Sequence, residues 1–380
     1  MLRFIPYVLK TLWRHRTRTL LTVSGTAVAM FVFSFVGAVQ EGLDRLLDDQ
    51  HQDRSLIVFQ ANRFCPSTSK LPEDYALRIQ KLPGVKDAVP IQVYMNNCRA
   101  SLDVVVFNGL PAEKLRSVRP IALQEGDWSQ FERQRDAALV GQAVARRRKL
   151  AVGQKFSIGS LTVSVAGIFS SSVPAEESMI YTHLEFLQRT PGLHAVGTAT
   201  QMEVLLDESA DAQATSKLID DLYRAGPVGT NTRTKGAFQA KTVGDLVELV
   251  GFTRYLGLAC VLMVLGLVAT TTVMGVQDRI REHAVLQTIG FTGWHIFAFI
   301  ISESIVVSLI GGMLGTGTAL AILQTSSLAL GTEGILIAFL PSVSLAVMGL
   351  AASAIVGLLA GIAPAWQASR SEIVPALRMA

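Results

Sequence analysis

Four long apolar runs with almost no charged residues constrain the fold of this chain more than any other feature. The first two are the uncharged runs Thr19–Gln40 and Tyr255–Gln277. The third begins near Trp294, contains one acid and stays uncharged to Thr332, and the fourth lies within Gly334–Ser369. A helix of about 22 residues rises roughly 33 Å, which is enough to cross a bilayer. Because backbone amides in lipid must be paired within their own segment, the runs are predicted to be helices.

The composition supports a membrane protein. Half of the residues are hydrophobic and only 17% are charged, whereas soluble domains usually carry about 25% charged residues. An ordinary cytosolic enzyme is therefore disfavoured, and the shortage of charge excludes disorder. We predict four transmembrane α-helices with a large α+β extracytoplasmic domain between helices 1 and 2.

The basic residues predict the orientation. They precede the first run, separate the second from the third and follow the fourth, at Arg3, Lys10, Arg14, Arg16, Arg18, Arg279, Arg281, Arg370 and Arg378. Positive residues favour the cytoplasmic side, so both termini are predicted to be cytoplasmic and residues 41–250, the outer domain, periplasmic. The first run is too long for the apolar core of a cleaved signal peptide. We therefore predict a multi-pass membrane protein.

These arguments give the following predicted order of segments. Residues 1–18 form a cytoplasmic or interfacial helix, 19–40 transmembrane helix 1, 41–250 the outer domain, 251–277 transmembrane helix 2, 278–292 a short cytoplasmic helix, 293–325 transmembrane helix 3, 326–340 a short external loop, 341–365 transmembrane helix 4, and 366–380 the cytoplasmic C-terminus.

The outer domain shows both strand and helix patterns. Strands are predicted at Leu56–Gln60, Asp103–Leu110, Leu161–Ala166 and Met202–Leu206, and helices at Pro72–Leu82 and Ala212–Tyr223. The second helix is expected to present Leu218, Ile219 and Leu222 on one face. Little parallel sheet is expected.

Motifs for nucleotide, metal and nucleophile chemistry are missing from the sequence. It contains no Gly-Lys dipeptide and hence no phosphate loop, so this chain alone is not expected to hydrolyse ATP. We predict no catalytic residues, no metal site and no nucleic-acid partner. Cys65 and Cys98 could form a disulfide in an oxidising compartment, and the spacing decides neither for nor against it. The basic cluster Arg146–Lys149 is either a binding patch or, as is commoner, a solvated helix end.

Glu303 is the one acid within the apolar runs, and such a residue is a candidate functional group. It could face a neighbouring helix, reach toward the cytoplasmic interface, or relay protons. Small residues allow helices to approach closely in lipid, and they predict helix packing at Gly311, Gly312, Gly315, Gly357 and Gly361.

A short amphipathic helix is predicted between the second and third runs. Mixed charge at its start gives way to Val285, Leu286 and Ile289 at helical spacing, and Gly290 is a candidate C-cap. Such a helix suits a groove on a soluble partner, or it could lie on the lipid surface.

The segment Gln277–Leu320 resembles the core of the MacB/FtsX-type (mechanotransmission, type VII) ABC transporter permeases. The resemblance rests on the Arg281-Glu282 step, the short apolar helix Ala284–Gly290, the early Glu303, and the later Gly311-Gly312 and Gly315. Further similar segments are the basic entry Trp13–Thr22, the outer-domain segment Leu139–Phe169, and the ending Ala363–Trp366 with Ile373–Arg378. One departure is His283-Ala284, where the family more often has Ile-Gly.

This resemblance implies a permease subunit of an exporter, closest in layout to permeases with a separate ATPase, such as the lipoprotein-release and heterocyst glycolipid types. It implies that ATP and Mg²⁺ bind on a partner ATPase, coupled to this chain through Arg281, Glu282, His283, Val285, Leu286, Ile289 and Gly290. It also implies a location in the bacterial inner membrane and a second permease copy, identical or different. It allows a periplasmic adaptor and an outer-membrane channel as further partners. The cargo would be a lipid, lipoprotein, peptide or drug-like compound. The alternatives are an FtsX-like module that activates a periplasmic hydrolase and a membrane sensor that works without an ATPase.

Overall fold

The computed structural model describes residues 14, 16–48, 55–63, 68–96, 104–173, 175–190, 195–242, 244–326, 329–332, 335–339 and 342–370. The chain forms two compact units. One contains residues 1–40, 249–325 and 340–380, and the other contains 41–248 and 326–339. The predicted helix before residue 14, the segment after residue 370, and both Cys65 and Cys98 lie outside the described residues.

In chain order the elements are α1 (Arg16–Asp48), β1 (Ser55–Gln60), β2 (Leu71–Pro72), α2 (Asp74–Ile79), β3 (Val85–Met95), β4 (Val106–Leu110), α3 (Ala112–Val118), β5 (Ile121–Gly126), α4 (Trp128–Arg133), β6 (Ala137–Gly141), α5 (Gln142–Arg148), β7 (Lys155–Ile158), β8 (Leu161–Ser171), a 3₁₀ turn (Glu176–Ser178), β9 (Met179–His183), α6 (Leu184–Gln188), β10 (Thr198–Ala199), β11 (Gln201–Leu206), α7 (Ala212–Tyr223), β12 (Thr230–Thr234), α8 (Lys235–Thr242), α9 (Gly244–Asp278), α10 (Ile280–Thr288), α11 (Gly293–Ser326), β13 (Ala329–Thr332), β14 (Ile335–Ala338) and α12 (Val343–Ser369).

Four of these helices, α1, α9, α11 and α12, are long and apolar enough to cross a membrane. This confirms the predicted class of four transmembrane helices with a mixed α+β domain between the first and the second. Both α1 and α9 extend past the apolar runs toward the outer domain, to Asp48 and from Gly244. Polar residues sustain a helix as well as apolar ones do, so the end of an apolar run does not fix the end of the helix.

The segment predicted as a short external loop contains a β-hairpin. Strands β13 and β14 pair antiparallel, with Ala329 opposite Ala338. The hairpin belongs to the same compact unit as the outer domain. A loop prediction based on chain length alone does not reveal such pairing.

Ten strands of the outer domain form one mixed sheet in the order β12-β1-β11-β3-β4-β9-β6-β8-β5, with β7 also paired to β8. The pairs β4–β9 and β6–β8 are parallel, and the other pairs in this sheet are antiparallel. Strand β3 joins two lobes, because its residues up to Ile91 pair with β11 and those from Gln92 pair with β4.

Each lobe has its own hydrophobic core. The first lobe packs α2 and α7 on β1, β3 and β11, with Tyr75 and Tyr223 stacked at a ring distance of 3.8 Å. The second lobe has a core on each face of its strands, one around Phe131 and Phe169 and the other around Phe107. Buried aromatic side chains thus contribute to each of these three cores, alongside many aliphatic ones.

The buried face of α7 differs from the predicted one. Ile219 is fully buried, but Leu218 and Leu222 are 42% and 48% exposed. Thr215 and Tyr223, spaced four residues on either side of Ile219, complete the buried face. The prediction was wrong for Leu218 and Leu222 because these two leucines are also four residues apart, and spacing alone does not show which of two neighbouring helix faces packs on the sheet.

Candidate functional site

The candidate site lies where the second membrane helix ends and the short helix α10 begins. Helix α9 ends at Asp278, and Arg279 leaves helical geometry with φ −113° and ψ 17° before α10 starts at Ile280. The chain bends at this one residue, so the side chain of Arg279 and those of α10 depart from the line of α9.

Arg279 forms a two-pronged ion pair with Glu303 of α11. Its Nη1 donates to Oε2 at 3.0 Å and its Nη2 donates to Oε1 at 2.6 Å. The two side chains are only 6% and 15% exposed. Matched forks of this kind are the strongest arrangement for an arginine and a carboxylate. Of the roles left open for Glu303, the structure shows that it faces a cation at the adjoining helix junction.

Two exposed ion pairs flank the buried one. Arg18 of α1 pairs with Asp278 at 3.2 Å, and Arg14 pairs with Glu282 of α10 at 3.3 Å. Exposed pairs each contribute at most about 1 kcal/mol. They therefore add little stability, but they bring the start of α1 beside α10.

The buried face of α10 carries His283 and Ala284, which are 4% and 3% exposed. Burial and the nearby charge of Arg279 lower the pKa of His283, which favours the neutral ring. His283, predicted among the ATPase-coupling residues, therefore lies on the buried side of the helix. The sequence alone does not show on which side of a short helix a polar residue lies.

An apolar patch is exposed at the same end of the helical unit. Its members are Val285 (47% exposed), Ile289 (71%), Phe291 (38%) and Trp294 (69%). Arg281 is exposed beside it, whereas Leu286 is only partly exposed. We call these four apolar residues the coupling patch. Exposed apolar residues grouped in this way mark a surface that meets another molecule or lipid.

Gly290 follows the C-terminal end of α10, the helix that carries Val285 of the coupling patch. Its φ is +105°, a left-handed conformation that suits glycine at the end of a helix. The amide of Phe291 donates to the carbonyl of Leu286 at 3.1 Å, which satisfies one of the last carbonyls of the helix. Gly290 therefore turns the chain between Ile289 and Phe291.

All five glycines predicted for packing lie at contacts between membrane helices. A Cβ on Gly315 would lie 2.2 Å from the Ala27 carbonyl oxygen of α1, and one on Gly312 would lie 1.9 Å from Ser353 Oγ of α12. The corresponding nearest neighbours are Thr26 for Gly311, Ile305 for Gly357 and Ile301 for Gly361. The helices approach so closely at these points that no larger side chain fits without movement.

The outer domain contains a second buried group of charges. Arg119 Nη2 donates to Glu203 Oε2 at 2.5 Å, and their side chains are 9% and 2% exposed. Glu176 lies 3.6 Å from Arg119, and Lys235 lies 3.4 Å from Glu203. The group joins β11 and α8 to two loop segments of the second lobe.

These charges shift each other's ionisation. Burial opposes ionisation of Glu203, but Arg119 and Lys235 outweigh it and lower its pKa to about 2. Burial dominates at Glu176 and raises its pKa above the usual value despite Arg119. The group therefore holds Glu203 firmly as an anion and Glu176 less firmly.

Arg279, Arg119 and Glu203 were not among the predicted site residues. A signal existed for Arg279, because an acid within an apolar run requires a cation nearby, and the closest basic residues to that end of the run are Arg279 and Arg281. No such signal existed for Arg119 and Glu203. They are two of many charged residues in a domain where charge is common.

The remaining predicted features either have a structural role or lie outside the described residues. Arg147 donates to the Val104 carbonyl at 3.3 Å, and Lys149 ends α5 with φ 54°, so the basic cluster forms a helix end. Within the residues the structure describes, no group of three or more His, Cys, Asp and Glu side chains is placed to hold a metal.

Two family models match the chain. The model of the MacB-like periplasmic core domain matches residues 19–222, and the model of the FtsX-like permease C-terminal region matches residues 255–373. Their order along the chain is the order of the two regions described above.

Similar curated proteins include the pyoverdine export ATP-binding/permease protein PvdT of Pseudomonas putida, 25% identical over 97% of this chain. The macrolide export ATP-binding/permease protein MacB of Nitrosomonas europaea is 23% identical, also over 97% of this chain. In both cases the match spans 58% of the relative.

Solved structures also resemble parts of the chain. The periplasmic region of MacB from Actinobacillus actinomycetemcomitans aligns with a TM-score of 0.38 and 11% identity, over 50% of this chain and 92% of that one. The extracellular domain of the transporter YknZ from Gram-positive bacteria aligns with a TM-score of 0.35 and 15% identity, over 47% of this chain and 99% of that one.

Proposed function

Because the chain belongs to the MacB/FtsX-type ABC permeases of the inner membrane, with a MacB-like periplasmic core domain and an FtsX-like permease region, we propose that it transmits ATP-driven motion to its outer domain. ATP hydrolysis takes place on a separate ATPase subunit in this proposal, and a second permease copy completes the membrane part. Both termini and α10 face the cytoplasm, as the distribution of Arg and Lys indicates.

The observation that carries this proposal is the construction of α10. Val285 on the helix and Ile289 at its C-terminal end are exposed, whereas His283 and Ala284 are buried. The residue at its start, Arg279, is held to α11 by the fork with Glu303. A force applied to the patch thus acts on α10, which is attached to a membrane helix by packing and by a strong ion pair.

The outer domain is the receiving end of this motion. The chain runs directly from α1 into the outer domain and back from it into α9, so a displacement of either helix pulls on the domain. The relatives named as exporters of pyoverdine and macrolides support an export role. We propose a cargo that is a lipid, lipoprotein, peptide or drug-like compound, passed on to a periplasmic adaptor and an outer-membrane channel.

The test is recovery of an ATPase subunit with the full-length protein in mild detergent, read by mass spectrometry. Ile289→Asp places a charge on the most exposed residue of the coupling patch. It should abolish recovery of the ATPase, because a buried unpaired carboxylate strongly disfavours an interface. The half-buried Leu286→Asp should weaken recovery as well.

The matched control is Leu77→Asp, an equally exposed apolar position in the outer domain at 65% exposure. It should leave the ATPase bound. If wild-type protein recovers no ATPase, or if Ile289→Asp recovers as much as Leu77→Asp does, the coupling role of α10 is wrong. A hydrolase recovered instead of an adaptor would favour regulation over export.

A further inference from the structure

A cleft lies between α1, α9 and α11 beside the buried Arg279–Glu303 fork. It has a volume of about 40 Å³ and is partly open to the outside. Its charged lining consists of Arg18, Arg279 and Glu303, and its other walls include Thr22 and Gly275. A cavity of this size has room for a few water-sized groups, so it suits a compact group rather than a large molecule. The coupling function does not use this cleft.

The charges of the cleft walls do not balance. Arg279 is neutralised by Glu303, but the ion partner of Arg18 is Asp278, which is 61% exposed and is not part of the cleft wall. The side chain of Arg18 itself is only 22% exposed. An exposed carboxylate is a weak, water-screened partner that a better-placed anion can replace. The cleft therefore has an excess of one positive charge.

Two further observations favour an anion in this position. Arg279 Nε and His283 Nδ1 are buried and have no hydrogen-bond partner, although both residues line the cleft. The guanidinium of Arg18 lies directly over Gly275, where a Cβ would meet Nη2 at 2.6 Å. Any larger residue at position 275 would therefore force Arg18 out of its position in the cleft.

The level of the cleft along the helices suggests the source of the anion. Its two arginines, Arg18 and Arg279, lie at the ends of α1 and α9, where the apolar runs stop. With the proposed cytoplasmic orientation, this is the level of the phosphate groups of the inner leaflet. Basic pockets between membrane helices on this side suit acidic lipid head groups. Leu21 and Met274, exposed within a turn of Arg18 and Gly275, offer apolar surface to acyl chains.

We infer that the cleft binds the phosphate of an anionic inner-leaflet phospholipid, with Arg18 as the primary contact. The phosphate oxygens replace Asp278 as the partner of Arg18. The lipid then contacts the junction at which α10 begins, so the lipid composition of the inner leaflet bears on the coupling helix. The inference rests on the proposed orientation but does not require an ATPase.

The experiment is native mass spectrometry of the full-length protein released from nanodiscs, made either of phosphatidylcholine alone or with added phosphatidylglycerol. Wild-type protein should retain phosphatidylglycerol and not phosphatidylcholine. Arg18→Gln should weaken retention about tenfold, the effect of losing one charge-assisted hydrogen bond. Arg18→Lys should keep most of it, which shows that the fold is intact.

Two matched variants separate the cleft from general charge. Arg14→Gln removes the same charge from the same end of α1, but Arg14 is 73% exposed and is not part of the cleft wall, so retention should be unchanged. Gly275→Val fills the cleft without changing its charge and should lower retention as much as Arg18→Gln does.

Equal losses in Arg14→Gln and Arg18→Gln, or equal retention of both lipids, would overturn the inference. Inorganic phosphate is tested in parallel on lipid-free detergent samples. If phosphate binds with the same dependence on Arg18 while phosphatidylglycerol is not retained, the anion site stands and its lipid source is rejected. Because no ATPase is present, failure here leaves the coupling test unaffected.

Discussion

The outer domain and the membrane helices each bury an Arg–Glu pair, yet they surround it differently. Arg119 and Glu203 lie between strands and loops, together with Lys235 and Glu176, so that two cations face two anions. Arg279 and Glu303 lie beside a cleft in which Arg18 adds an unbalanced cation. The closed group is complete by itself, whereas the wall of the cleft carries one more cation than anion.

Packing differs between the two regions as well. The outer domain fills its cores with large side chains, of which Tyr181, Phe107, Phe131 and Phe169 are the largest fully buried ones. The membrane helices meet through glycine and serine, as at Gly312 and Ser353. Burial of large apolar side chains stabilises a domain in water, but lipid is as apolar as the helices, so close backbone approach takes its place.

The largest expected effect on the free energy of unfolding comes from removing one charge from the buried group of the outer domain. Arg119→Leu leaves Glu203 buried with only Lys235 as partner, and it should lower the free energy of unfolding by about 3–5 kcal/mol. Denaturant unfolding of the full-length protein, followed by intrinsic fluorescence, measures the loss. Arg224→Ala, which breaks an exposed pair with Asp221, should cost less than about 1 kcal/mol. Similar losses in both variants would show that the buried group carries no special stability.

A smaller effect is expected where the membrane helices meet. Gly315→Val places a side chain against the backbone of Ala27 and Phe31 in α1 and should cost roughly 1–3 kcal/mol, because the two helices must separate. Gly317→Val, two residues further along α11, meets nothing within 4 Å and serves as the matched control. Thermal unfolding in detergent compares the two. Equal melting temperatures would mean that α1 and α11 do not depend on this close approach.

The smallest effect is a pH dependence with opposite signs at two carboxylates. Glu203 has a lowered pKa of about 2, so its contribution is present above its unfolded pKa and is lost as the pH falls through about 2. Glu176 has a raised pKa, so its contribution is present below its unfolded pKa and is lost as the pH rises through the raised value. Stability should thus increase slightly on mild acidification from neutral pH and decrease below a pH of about 4.5.

Two variants test which carboxylate causes each part of this pH dependence. The free energy of unfolding of each variant is measured across the pH range. Glu176→Gln should remove the slight increase, and Glu203→Gln should flatten the decrease at acidic pH. A wild-type curve that falls steadily from neutral pH, and is unchanged by Glu176→Gln, would contradict the raised pKa of Glu176.

Much of the architecture could be predicted because a lipid bilayer constrains each apolar segment independently of the rest of the chain. Long apolar runs must be helices, so four spans and one large insertion could be located without any knowledge of contacts. Strand patterns such as that of Leu161–Ala166 also located elements of the outer domain. The face of α7 was wrongly predicted, and a hairpin was missed, because both depend on which neighbours are present.

The sequence by itself determined the membrane helices, the order of the two regions and the presence of an acid at Glu303 that required a partner. Only the tertiary structure decided that the partner is Arg279, that His283 is buried, and that Arg119 joins Glu203 across 84 residues of chain. The hydrophobicity of a segment depends on its own residues alone, so it can be recognised from the sequence. Ion pairs and close glycine contacts depend on distances between segments remote in sequence, and only the folded backbone sets those distances.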